Sequence, residues 1–154
     1  MNGLADKYGV KNISFLDSIP DDEERALLYK MLDEAREYLS GFDWCSYIKS
    51  VYFGCGIGGI FSVFMFDIAN KASNSDNLLW VVVGDIPPAY LVVADGPSCA
   101  DEALKAYVDI MQEWVNSVNM NLSVDDKFPV DAPATVEYAG MLGSRLDYIR
   151  ENFI

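Results

Sequence analysis

Histidine is absent from the 154 residues, and basic side chains are scarce: 11 Lys and Arg stand against 24 Asp and Glu, for a formal net charge of -13. The first absence removes the commonest general base and metal ligand and makes a Ser-His-Asp triad impossible. The second removes the cations that neutralise phosphates, so nucleic acid is not an expected partner. Cysteine is limited to Cys45, Cys55 and Cys99, with no C-x-x-C pair. That is neither a disulfide framework nor a zinc site, and no metal or other cofactor is expected. Apolar runs stop short of the ~18 residues a membrane helix needs. Asp67 ends one, and Asp85 with Pro87 and Pro88 breaks another. The opening MNGLADKYGVKNISF lacks the basic and apolar regions of a secretory signal. These absences predict a cytoplasmic chain that does not enter a membrane.

What is present is apolar. Half of the chain (51%) is hydrophobic, with 9 Tyr, 8 Phe and 3 Trp, enough area for a packed core despite the charge. The length suits one domain spanning residues 1–154. Charge falls unevenly: residues 101–154 hold ten acids against four bases, and 21–40 hold seven against three.

Periodicity predicts three helices. From Pro20 to Leu39, Leu28, Met31, Leu32, Ala35 and Leu39 recur at helical spacing behind an acidic start, and Gly41 ends the pattern. After Ser98, a cap with Asp101 in the reciprocal position, the stripe Leu104, Tyr107, Val108, Met111, Trp114, Val115, Val118 opposes an outer face bearing Glu102, Lys105, Asp109 and Glu113. From about Ala134 a third stripe runs through Ala139, Leu142, Leu146, Ile149 and Phe153. Between the first two helices, β-branched and aromatic residues fill 50–69, 78–83 and 89–94. The connections KASNSDN and GDIPP are too short for helical crossovers, which predicts antiparallel hairpins. The expected fold is α+β, an antiparallel sheet of about four strands packed with three helices in the order α-β-β-β-β-α-α. The strand over 60–66 is apolar on both faces and belongs in the centre of the sheet.

No motif supplies chemistry. Gly54-Cys55-Gly56-Ile57-Gly58-Gly59 matches G-x-G-x-x-G, but a strand follows it instead of a helix, so a hairpin turn or bulge is expected. Cys55 lacks an imidazole to make it a thiolate. Asp85 with Asp95 as an acid/base pair, and Asp125, Asp126 and Asp131 as calcium ligands, have no supporting spacing. No catalytic or metal-ligating residue is assigned. The corner Gly84-Asp85-Ile86-Pro87-Pro88-Ala89-Tyr90 is the most distinctive local sequence, with Asp85 and Tyr90 as a candidate polar pair at a strand edge.

The stretches LWVVVGDIPPAYLVVADGPSCADEALKAYVDIMQEWV and PVDAPATVEYAGMLGSRLDYIRENF resemble a group of small, acidic, uncharacterised bacterial proteins. In size, acidity and want of a catalytic set the chain also resembles immunity proteins that neutralise bacterial toxins. That resemblance implies a protein-binding module covering a basic partner. Asp109, Glu113, Asp125 and Asp126 would supply charge, and Trp44 and Tyr90 would be aromatic anchors if exposed. The alternative is a small-ligand-binding protein or enzyme with a carboxylate-lined pocket between sheet and helices, Asp85 and Tyr90 at its mouth. An accessory subunit of a larger assembly is a third reading.

Overall fold

The computed structural model describes residues 3–94, 96–130 and 132–154. Asp95 and Asp131, and with them the acid pair and the calcium set in which they figure, lie outside the described residues. The chain divides into two compact units, Met1–Ala103 and Leu104–Ile154.

The first unit holds a five-stranded antiparallel meander in the order β1-β2-β3-β4-β5, which makes the fold α+β. The strands are β1 (Lys11–Asn12), β2 (Cys45–Ile57), β3 (Phe61–Asn70), β4 (Leu78–Gly84) and β5 (Ala89–Val92). Before and between them come a short helix α1 (Gly3–Tyr8), a 3₁₀ helix (Ile13–Ser18) and the long helix α2 (Asp22–Ser40). Four of the strands match the sequence expectation. The fifth, β1, is two residues long and too short to carry any alternation. β2 begins at Cys45, earlier than its apolar content suggests. Its first residues pair only with β3, opposite Asp67–Asn70, so they form a border segment that needs little burial.

β3 lies third of the five, and Phe61 to Phe66 are all buried. Alternation divides its side chains between two faces. Phe64, Phe66 and Ile68 join Leu79, Val81 and Val83 of β4 in one cluster with Leu28, Met31, Leu32, Ala35 and Leu39 of α2. The helix stripe read from the sequence therefore meets one face of the sheet. On the other face Met65 pairs with Trp80, which is 0% exposed. The indole N–H of Trp80 donates to the Pro97 carbonyl at 2.8 Å, and Tyr8 meets its ring edge-on. A buried indole left without an acceptor would cost free energy, so the Pro97 segment fixes this side chain as firmly as packing does.

Asp21 caps α2 by accepting the Glu24 N–H at 2.9 Å. Gly41 ends the helix with φ -75°, a conformation open to any residue, so the terminus does not depend on glycine. At Gly84 glycine is required: φ is +147°, and a Cβ there would stand 2.3 Å from the Ile60 carbonyl oxygen.

The second unit contains most of α3 (Ala100–Asn119) and all of α4 (Val136–Phe153), joined by an irregular segment. Arg150 of α4 donates to the Gln112 side chain at 3.1 Å, and a Cβ on Gly143 would meet Val115 at 3.5 Å, so the two helices lie side by side. Thr135 caps α4 through the Tyr138 N–H. At the start of α3 the reciprocal contact is made by Glu102, not by Asp101. Its Oε1 accepts from both the N–H and the hydroxyl of Ser98 at 3.0 Å. The longer glutamate side chain, one residue further on, reaches back where aspartate would fall short.

Candidate functional site

The glycine segment is the bulged end of β2, Gly54 to Ile57, followed by a hairpin turn over residues 58–60. Ile57 pairs with Phe61, the Ile60 N–H closes on the Ile57 carbonyl at 3.0 Å, and the register shifts between Phe53 and Cys55. The Glu24 carboxylate accepts the Gly58 N–H at 2.8 Å, and Leu27 Cβ would lie 2.7 Å from a Cβ on Gly58. The turn is thus seated on the first turns of α2, and its backbone amide is occupied by a carboxylate. Cys55, just before it, is half-buried, and burial first, then Asp101 and Cys99, pushes its thiol up to about 12. Such a thiol is a poor nucleophile at neutral pH. Burial likewise raises Cys45.

Asp85 and Tyr90 do not share a mouth. Asp85 is exposed and lines a cleft of about 260 Å³ with Leu27, Lys30, Met31 and Glu34 of α2 and the two glycines Gly59 and Gly84. Tyr90 lines a different cleft, of about 170 Å³, with Trp44, Asn70, Ser73, Asp76 and apolar residues of β4 and β5. The reason is local. Asp85 follows the last residue of β4, whereas Tyr90 is already in register opposite Val81, on the face of the sheet that α2 covers.

Trp44 and Tyr90 come together, though not as free-standing anchors. Their ring centroids are 5.1 Å apart; Phe42 stacks on Trp44 at 4.8 Å and meets Tyr90 edge-on at 5.4 Å, and Tyr38 lies 5.2 Å from Phe42. The four rings close the end of the α2 core, each half-buried. Burial pushes the Tyr38 hydroxyl up to about 12, with Tyr90 adding to the shift.

The acidic candidates of the second unit are exposed. Asp109 and Glu113 lie one turn apart on α3, and Asp125 and Asp126 lie in the segment after it. Lys105 pairs with Asp109 at 3.9 Å, while Glu113 has no ion pair among the described residues. Asp147 is held by Arg150 at 2.9 Å. No group of three or more Cys, Asp or Glu that could hold a metal ion occurs among the described residues. Nor does any described helix have the length and apolarity to cross a membrane.

One surface escaped the sequence expectations. On α4, Tyr138, Met141 and Tyr148 are 43%, 47% and 48% exposed. Their spacing of three and seven residues places them on one side of the helix, beside the buried stripe of Ala139, Leu142, Leu146 and Ile149. The signal was the width of the apolar pattern, which is broader than one buried face needs.

Comparison with protein-family models, with curated proteins and with solved structures finds no match for this chain.

Proposed function

We propose that this chain is a cytoplasmic protein-binding module that covers a basic partner, in the manner of an immunity or inhibitor protein. The observation that carries the reading is the α4 strip. Tyr138, Met141 and Tyr148 are exposed along one side of a single helix, whose Val136 is exposed as well, and Glu137, Asp147 and Glu151 are exposed on the same helix. Aromatic and Met side chains within a charged rim are what protein interfaces use, the first for affinity and the second for steering. The formal charge of -13 selects a cationic partner.

The test is capture from native lysate at low and high salt, with the Met141→Glu/Tyr148→Glu double variant as control. A basic protein retained by the parent at low salt, released at high salt and lost by the double variant supports the reading. Failure to retain any basic protein at low salt, or equal retention by the double variant, rules it out.

A small-ligand or enzymatic role has one observation in its favour, the cleft that Glu34, Lys30 and Asp85 line between α2 and the hairpin turns. Saturable binding of a small molecule that Asp85→Asn abolishes would favour it over the partner reading.

A further inference from the structure

The cleft beside Trp44 and Tyr90 joins two kinds of wall. One is aromatic: Trp44 and Tyr90 meet at 61° with centroids 5.1 Å apart, and Phe42, stacked on Trp44, holds them from behind. The other comes from the segment between β3 and β4, whose polar side chains are already engaged in holding that segment. The Asn70 side-chain oxygen accepts the Ala72 and Ser73 N–H groups at 2.8 and 3.2 Å, and its amide donates to the Asp76 carbonyl at 2.9 Å. The Ser73 and Ser75 hydroxyls bond each other at 2.9 Å. What this wall adds is one charge. Asp76, half-buried, is the one carboxylate among the described lining residues, which include no Lys or Arg, and Lys71 on the same segment makes no ion pair with it.

We infer that this cleft binds an organic cation, an alkylammonium or guanidinium group held over the aromatic faces and neutralised by Asp76. Each alternative class lacks something. A sugar needs several free donors and acceptors, which Asn70 and Ser73 have committed elsewhere. An anion would meet a carboxylate and the field of a chain of charge -13. A cation gains from the ring quadrupoles, from Asp76 and from that field together. The volume of about 170 Å³ suits one such head group and not a drug-sized ligand. The site belongs to the first unit and uses none of the α4 residues, so it stands whether or not a basic partner is captured.

The chain reports on this site directly. Trp80 and Trp114 are 0% and 3% exposed, which leaves half-buried Trp44 as the tryptophan that responds to a ligand in the cleft. Titration of the full chain, followed by tryptophan emission, would use choline, N-acetyl-arginine amide, and 3,3-dimethylbutanol as the neutral isostere of choline, with sodium chloride matching ionic strength. The expected result is a saturable change with one or both cations and none with the neutral isostere. Asp76→Asn should weaken the response about five- to tenfold while the far-UV circular dichroism stays unchanged. Saturation by choline alone points to a free quaternary ammonium compound, and saturation by the arginine derivative alone points to a cationic side chain. Absence of saturation with both cations, equal response to the neutral isostere, or an undiminished response in Asp76→Asn overturns the assignment.

Discussion

The aromatic cluster of the first unit and the α4 strip of the second use similar residue types differently. In the first, Trp44, Tyr90, Phe42 and Tyr38 pack on one another at the end of the α2 core, and the Glu24 carboxylate accepts the Gly58 N–H, while Tyr47 stays 61% exposed. In the second, Tyr138, Met141 and Tyr148 stay exposed, and Glu113 has no cationic partner among the described residues. The contrast teaches that residue type is a poor guide to an interaction surface. What decides is whether the fold has a use for the side chain at that position.

The sharpest way to break the contrast is truncation. Trp44→Ala should cost about 2–3 kcal/mol, less than a fully buried tryptophan because its ring is half exposed, whereas Tyr148→Ala should stay within about 0.5 kcal/mol. Urea unfolding followed by circular dichroism measures both, and equal losses would erase the distinction. The carboxylates offer a second comparison. Glu24→Ala leaves the part-buried Gly58 N–H without its acceptor and should cost about 1–2 kcal/mol, against near neutrality for Glu113→Ala by the same assay.

Titration sharpens the picture further. The folded state holds the Cys55 thiol up at about 12 against an ordinary 9.0. A raised value means that its contribution is complete below about pH 9 and is lost as pH rises toward 12. Alkaline unfolding monitored by circular dichroism should therefore begin at higher pH in Cys55→Ala than in the parent, and an identical onset would contradict the assigned burial. The smallest effect belongs to Glu102. Its two bonds from Ser98 lower its pKa from the ordinary 4.5, so its contribution is present above that value and lost as pH falls. Amide exchange at the start of α3 should quicken on acidification, and Glu102→Gln should remove most of that acid dependence.

Much of this was legible in the chain. The stripes of α2, α3 and α4, the doubly apolar β3 and the turn-rich connections all follow from side-chain period, because burial forces that period on any helix or strand that meets a core. β1 was not legible, since a two-residue strand has no period. Nor was the contact between Ser98 and Glu102, where a difference of one methylene and one position decides the partner and the Ser98 hydroxyl donates instead of capping. The candidate site was less legible still. Asp85 and Tyr90 are five residues apart, yet the Pro87-Pro88 corner sends them to separate clefts, and no local pattern encodes that divergence. Asp76 and Trp44, far apart in the chain, line one cleft because the β2–β3 register brings their segments together.

The meander also has short borders. Its outermost strands are β1, of two residues, and β5, of four, the latter preceded by two prolines that have no amide hydrogen to give. Where β2 runs on beyond the reach of β1, Lys49 puts a charge on the border, and register shifts fall on either side of Tyr47 and Ile48. A second molecule would find no long, straight row of amides on which to add a strand. Short and irregular borders of this kind disfavour edge-to-edge strand addition, the route by which so apolar a sheet would recruit further copies of the chain.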